Sequence, residues 1–371
     1  MSAAPPTPDP SPPGGPGAGP ARDAPDARAR TAAARTAPAL PGVALLGTGS
    51  ALPARVLTNQ DLEKVMDTSD EWIVQRTGIR QRRIADRSRG EGTTELAAQA
   101  LTAALGDAGV GAGELDLVVV ATMTPDMSCP PTAGRVLELV GAGRRAGGFD
   151  LSGACCGFVY GMNVVHDLIR GGAYRTVALI GVDRLTQYMD YSDAGRSTAI
   201  IFGDGAAGIV FRATEDSSKG ILAQVMRADG SGWRYIYIPE QDRDFPPDVP
   251  PDPAKLRRVQ MNGSQVFKFA VGTFPALIQE TLDKAGLRAD DVDMYVCHQS
   301  NARILTAARE RFGLSADRLY VNIDRVGNTV GASVPLCLDE LRKTGRVRHG
   351  QRVMFVAFGA GLTWGSSLWQ L

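Results

Sequence analysis

Ala108-Gly109-Val110-Gly111-Ala112-Gly113-Glu114-Leu115-Asp116 returns 177 positions later as Ala285-Gly286-Leu287-Arg288-Ala289-Asp290-Asp291-Val292-Asp293. The same register pairs Arg175 with Arg352 and Val177-Ala178-Leu179 with Met354-Phe355-Val356. Matches this far apart in one register read as an internal duplication, two similar helix-strand halves about a pseudo-twofold axis. Helical spacing from Glu95 to Ala108, a β-rich run from Leu115 to Thr122, a largely buried helix from Cys155 to Arg170 and an apolar strand from Thr176 to Gly181 alternate, which predicts α/β layers. The halves are set at 42–216 and 217–371. Ser217 to about Val259 is read as joining or decorating them, with Phe245-Pro246-Pro247-Asp248-Val249-Pro250-Pro251 as a loop.

Ahead of Gly42 lies a segment dominated by Ala, Pro, Gly and Arg. It has too little apolar surface to offset its ordering entropy, so residues 1–41 are predicted to be a disordered tail. In the chain as a whole, 40 acidic and 40 basic side chains balance, so no bulk field draws it to nucleic acid or anionic lipid. No uninterrupted apolar run is long enough to cross a bilayer. The five cysteines, an odd number with two adjacent, make a poor disulfide framework and show no paired metal spacing. Those cysteines fit a reducing cytoplasm.

Three residue types then point to acyl chemistry. Cys155, in Asp150-Leu151-Ser152-Gly153-Ala154-Cys155-Cys156-Gly157-Phe158, sits where a turn opens a helix, and the helix N-terminus is expected to favour its thiolate. Of three histidines, His166 reads as a packing residue and His349 as part of an exposed turn. His298 alone follows an apolar strand, Met294 to Cys297, at the end where open α/β sheets place functional groups. Asn328, in Gly327-Asn328-Thr329, is either a helix cap or a catalytic amide. Gly359-Ala360-Gly361 is either a tight turn or a backbone N–H donor to an oxyanion. Trp72, with Arg76 and Arg80 a helical turn further on, either anchors a surface helix or meets a nucleobase. Gly203-Asp204-Gly205-Ala206 matches no phosphate loop and reads as close packing of a turn.

From Gly42 onward the chain resembles the β-ketoacyl-acyl carrier protein synthase III family, the initiating condensing enzymes of the thiolase superfamily. The markers are Gly47-Thr48-Gly49-Ser50, Thr68-Ser69-Asp70-Glu71-Trp72-Ile73, Arg76-Thr77-Gly78-Ile79-Arg80, Ala154-Cys155-Cys156-Gly157-Phe158, Phe202-Gly203-Asp204-Gly205-Ala206, His298-Gln299-Ser300-Asn301, Gly327-Asn328-Thr329 and Thr363-Trp364-Gly365-Ser366. The resemblance implies a five-layered αβαβα fold and a homodimer. It implies Cys155 as nucleophile with His298 and Asn328 as partners, and an oxyanion hole from the N–H groups of Cys155 and Gly361. Trp72 and an arginine near Arg196 would bracket the adenine of coenzyme A, and Asn301 would contact its pantetheine arm. Lys268 and Arg303 would belong to a patch for the acidic carrier protein. The implied reaction condenses an acyl-CoA with malonyl-carrier protein to begin fatty acid synthesis; coenzyme A thioester is a substrate, and no cofactor or metal is implied. Cys129 falls where the partner subunit usually closes the acyl pocket, which suggests room for branched or longer primers. A starter-unit ketosynthase or an acyltransferase of a specialised pathway is the alternative, and a non-catalytic partner subunit a further one.

Overall fold

The structure, a computed structural model, describes residues 40–371. The predicted tail lies, up to residue 39, outside the described residues. The chain enters on β1 (Gly42–Ala51), and a ribbon of β2 (Arg55–Thr58) and β3 (Gln81–Ile84) encloses α1 (Asn59–Glu63) and α2 (Asp70–Thr77). The first repeat continues through α3 (Thr93–Ala108), β4 (Leu117–Ala121), α4 (Thr132–Leu139), β5 (Gly147–Leu151), α5 (Gly157–Arg170), β6 (Thr176–Asp183), the one-turn α6 (Arg196–Ala199) and β7 (Gly205–Thr214). The second comprises β8 (Gly220–Ala228), a ribbon of β9 (Ile236–Tyr237) and β10 (Gln260–Met261), α7 (Gly263–Ala285), β11 (Met294–Cys297), α8 (Ala302–Arg311), α9 (Ile323–Val326), α10 (Ser333–Lys343), β12 (Arg352–Gly359) and β13 (Thr363–Gln370).

Two sheets carry the fold, ordered β1-β7-β6-β4-β5 and β11-β12-β13-β8. Read from β8, the second sheet repeats the first strand for strand. Only β5 lacks a counterpart, and there Leu319 makes a single parallel bridge to Tyr295. Both faces of the central strands are covered, so these strands are apolar throughout and their alternation decides which layer each side chain enters. Leu117, Val119, Val177 and Leu179 face a central core shared with Val296, Val353, Phe355 and the helices α5 and α10. Val118, Val120, Ala178 and Ile180 face α3 and α4 instead. Tyr295, Cys297, Met354 and Val356 face α7 and α8. The result is five layers, α3/α4, sheet, α5/α10, sheet, α7/α8, as the resemblance implied.

One reading needs correcting. Residues 220–228 do not link the halves; they form β8, which pairs antiparallel with β13 and matches β1 at the 177-residue shift. As the edge strand it has exposed Leu222 and Met226 and a mixed pattern that hides its strand character. The residues beyond it, including the Pro-rich loop, do decorate the sheet.

A buried carboxylate joins the repeats. Asp339 of α10, 1% exposed, accepts hydrogen bonds from Thr48 Oγ1 (2.9 Å) and Ser50 Oγ (2.5 Å) of β1 and from Lys343 Nζ (2.7 Å). Removing it leaves the Thr48 hydroxyl buried without its acceptor. Asp339→Ala should lower unfolding free energy by roughly 2–3 kcal/mol in a denaturant titration; an unchanged midpoint would show that the contact carries no stability.

Candidate active site

Cys155 lies in a 3-10 turn, Ala154–Cys156, that runs into α5. The end of β12 presses against it: a Cβ on Gly359 would fall 2.9 Å from the Cys155 nitrogen. Beyond it Gly361 holds φ +133°, a conformation that L side chains rarely adopt, so this position of the Gly-Ala-Gly run needs glycine. Neither the Cys155 nor the Gly361 N–H donates to a backbone carbonyl among the described residues.

His298 follows β11 and is held by the sheet, its N–H donating to Val356 O (2.8 Å). The ring is 1% exposed and stands edge-on to Phe358, with centroids 5.7 Å apart. Its Nδ1 has no hydrogen-bond partner among the described residues. Leaving such a group unpaired costs about 1–3 kcal/mol, which is tolerated where a substrate completes the bonding. Next to it Gln299 is a strut: its N–H donates to Ser333 Oγ (2.7 Å), and its amide bonds Cys297 O, Tyr320 O and Asn322 N. Asn328 is not a helix cap. Its backbone bridges Phe202, and its Oδ1 accepts from Val330 N–H (2.9 Å). Its Nδ2 makes no hydrogen bond to the described residues and remains a donor.

Cys155, His298 and Asn328 line one cavity of about 460 Å³ together with Trp72, Arg76, Asn301, Arg303 and Phe358. Cys155 also lines a second cavity of about 330 Å³, walled by Met123, Leu185, Tyr188, Phe202, Ile236 and Val259, with Glu240 as its one charged group. The sulfur therefore stands between a larger channel with a polar mouth and a smaller chamber lined by apolar and polar groups together.

At the mouth, Ser69 caps α2 and accepts from the Trp72 N–H (3.1 Å). Arg76 Cζ lies 4.6 Å and Arg196 Cζ 5.0 Å from the centre of the Trp72 ring. Asn301 is committed on both sides: Oδ1 caps α8 through Arg303 N–H (2.9 Å), and Nδ2 donates to Arg76 O (3.0 Å). Arg303 is exposed and stands 5.1 Å over the Phe267 ring. Lys268 is exposed on α7 between two residues of the channel wall, Phe267 and Phe269, but does not itself line it. Cys129 is exposed on the loop before α4 and lines neither cavity of this chain.

Electrostatics corrects the expected thiolate. Cys155 keeps part of its surface open, yet dense protein around it and the nearby Asp183 carboxylate push the thiol from its ordinary 9.0 up to about 12. A helix N-terminus offsets at most about 2 kcal/mol, roughly one and a half pH units, too little to cancel that rise. Burial likewise drives the His298 imidazole down to about 3. The resting pair is thus thiol and neutral imidazole. Asp183, which the sequence reading missed, carried a weak signal: an acid closing an otherwise apolar strand, Thr176–Asp183.

Because folding depresses its proton affinity, His298 contributes stability that is complete above about 6.5 and lost as pH falls from there toward 3. In a histidine-resolved NMR titration, the 298 resonances should not move between pH 5 and 8. A midpoint near 6.5 would show that the ring is hydrated and free to charge.

Residues 149–230 match the family described as 3-oxoacyl-[acyl-carrier-protein] synthase III, and residues 282–371 match its C-terminal part. Among curated proteins, the β-ketoacyl-[acyl-carrier-protein] synthase III of Caldanaerobacter subterraneus subsp. tengcongensis is 44% identical across 87% of this chain and 96% of its own length. Among solved structures, the 3-oxoacyl-[acyl-carrier-protein] synthase III of Aquifex aeolicus superposes with a TM-score of 0.81 at 38% identity, covering 89% of this chain and all of the other. The priming β-ketosynthase of a polyketide biosynthetic pathway superposes at 0.82 with 34% identity, covering 90% and 98%. Likeness over nearly the whole described chain, in sequence and in fold, decides the matter: the chain belongs to the β-ketoacyl-[acyl-carrier-protein] synthase III family of acyltransferase-type condensing enzymes.

Proposed function

We propose that the chain begins fatty acid synthesis by condensing an acyl-CoA primer with malonyl-acyl carrier protein through an acyl-Cys155 thioester. The observation that carries this is Cys155 placed between two cavities, with His298 and Asn328 on the wall of one of them. The channel suits a pantetheine arm, and the smaller chamber, with Met123, Leu185, Phe202 and Val259 on its walls, suits an acyl group. At the channel mouth the adenine would take a place on Trp72 now shared by Arg76 and Arg196; Arg76 is exposed and Arg196 half-buried, so a guanidinium can move aside. Asn301 would flank the pantetheine arm while holding Arg76 in place. Arg303 and Lys268, both exposed and free of ion pairs among the described residues, would meet the acidic carrier protein.

In the first half-reaction the Cys155 sulfur attacks the thioester carbon, and the N–H groups of Cys155 and Gly361 receive the oxyanion. Since the sulfur rests as a thiol, its proton leaves as the bond forms and ends on the departing coenzyme A sulfur. In the second, the malonyl thioester oxygen accepts from His298 and from Asn328 Nδ2. Carbon dioxide departs, the enolate carbon attacks the acyl-Cys155 carbonyl, and the sulfur leaves as a thiolate that takes up one proton from solvent to restore the thiol. A neutral imidazole suits this role, because it donates without first having to lose a charge. Each preorganised donor is worth roughly 3–4 kcal/mol of barrier. Neither half-reaction as written calls for a resident cofactor.

A homodimer fits the edge of the first sheet. β5 has one neighbour, its residues 147–149 are exposed, and Phe149 and Leu139 beside it present apolar surface. Asp150 of β5 accepts from the N–H groups of Thr132 and Ala133 at the start of α4, so the Cys129 loop is tied to that edge. A second copy across β5 would bring Cys129 to the neighbouring acyl chamber. The exposed thiol of Cys129 also suits a reducing cytoplasm. Likeness to a priming ketosynthase gives a starter-unit role in a specialised pathway as the second reading; the chemistry at Cys155 is shared.

His298→Ala should gain acyl mass from acyl-CoA at close to the wild-type rate but lose condensation about a hundredfold or more; retained condensation would contradict the assigned roles. Cys129→Phe should cut rates with branched four- and five-carbon primers at least about tenfold and spare acetyl-CoA. An unchanged primer panel would mean that this side chain does not reach an acyl chamber.

A further inference from the structure

The turn that carries Asn328 is under tension. Val330, β-branched and 1% exposed, holds φ +53°, where such residues are rarely found. Strain of this kind persists only where the surroundings over-determine it. Two hydrogen bonds do so here. Val330 N–H donates to Asn328 Oδ1 (2.9 Å), and the next N–H, Gly331, donates to Asp183 Oδ2 (3.0 Å). Asp183 Oδ1 in turn takes Met123 N–H (2.9 Å), Thr124 Oγ1 (2.9 Å) and Thr122 Oγ1 (3.3 Å) from the loop after β4. The carboxylate is 1% exposed and has no ion pair among the described residues. Burying it so is expensive, and four neutral donors are what it receives in return. Only an acceptor-only side chain satisfies all four; an asparagine would turn its own N–H₂ toward one of them.

We infer that Asp183 is a positioning residue for condensation: by clamping Gly331 it fixes the Val330 turn, whose N–H holds Asn328 Oδ1 and so aims Asn328 Nδ2 at the malonyl thioester oxygen. Asp183 itself touches no substrate. The inference rests on the function proposed above, since it needs Asn328 to act as a donor. It also separates the half-reactions. The Asp183 charge raises the Cys155 thiol, so its loss does not hinder ionisation of the nucleophile. Loss of the clamp costs geometry at Asn328, and misplacing a donor by an ångström costs about a hundredfold.

The test uses the full chain, an acyl-CoA and malonyl-acyl carrier protein, and reads acyl mass on Cys155 and carbon dioxide release separately. With acetyl-CoA, which asks least of the chamber walled by Met123 and Val330, D183N should acylate within about threefold of wild type and release carbon dioxide about a hundredfold more slowly. In an N328A background the same substitution should change carbon dioxide release by less than about threefold, because the group it positions is gone. If D183N alone does not fold, the cycle is run in a Val330→Gly background, where the turn carries no β-branched strain. Equal losses in both half-reactions, or the same loss with and without Asn328, would overturn the inference. A wild-type enzyme that acylates but releases no carbon dioxide would sink the proposed function with it.

Discussion

The site depends on α5 and α10 being packed side by side in one apolar layer between two sheets. Both helices are covered on two faces by strands that alternate apolar side chains inward and outward, so neither can shift without opening the central core. Each begins with a 3-10 turn, Ala154–Cys156 and Val330–Ala332, and each turn holds one non-glycine residue at positive φ, Ala154 at 48° and Val330 at 53°. These turns meet at the seam. The sulfur of one and the carboxamide set by the other are therefore placed by the least deformable part of the molecule.

That placement decides the electrostatics. Dense burial disfavours charge on every titrating group at the seam, so the thiol is held protonated and the imidazole neutral. Asp183 is the exception that burial alone would forbid; four donors from two segments hold it, and even so its affinity for a proton rises to about 6. The arrangement favours chemistry that moves hydrogen bonds and leaves resting charges out. Acyl transfer and enolate formation are of that kind: charge develops on an oxygen only while the bond is being made or broken.

Much of the fold was legible because the duplication was. The 177-residue shift aligned α3 with the last turns of α7, β4 with β11 and β6 with β12, and His298 was found by its place after a buried strand. β8 was missed because this edge strand has a mixed burial pattern and lacks a continuous apolar run. The smaller cavity behind Cys155 was not legible at all. Its walls come from Met123, Leu185, Ile236 and Val259, four segments that only tertiary packing brings together. The state of Cys155 was misjudged for a related reason: a sequence shows the helix start that favours a thiolate but not the density of protein that opposes it.

The two halves also show how a symmetric frame yields an asymmetric site. At the 177-residue shift Cys155 falls on Ala332 and Asp183 on Ala360, so the second half has neither the sulfur nor the clamp. Between β6 and β7 the first half spends residues 184–204 on an excursion that supplies Leu185, Tyr188, Arg196 and Phe202; between β12 and β13 the second half turns back within residues 360–362. The short turn sets Gly359 and Ala360 against Cys155, and the long excursion walls the smaller cavity behind it. A tight turn and the wall of a roomy cavity cannot both be built from one connection. Duplication supplies two copies of that connection, and their divergence lets a single sulfur at the seam have one of each.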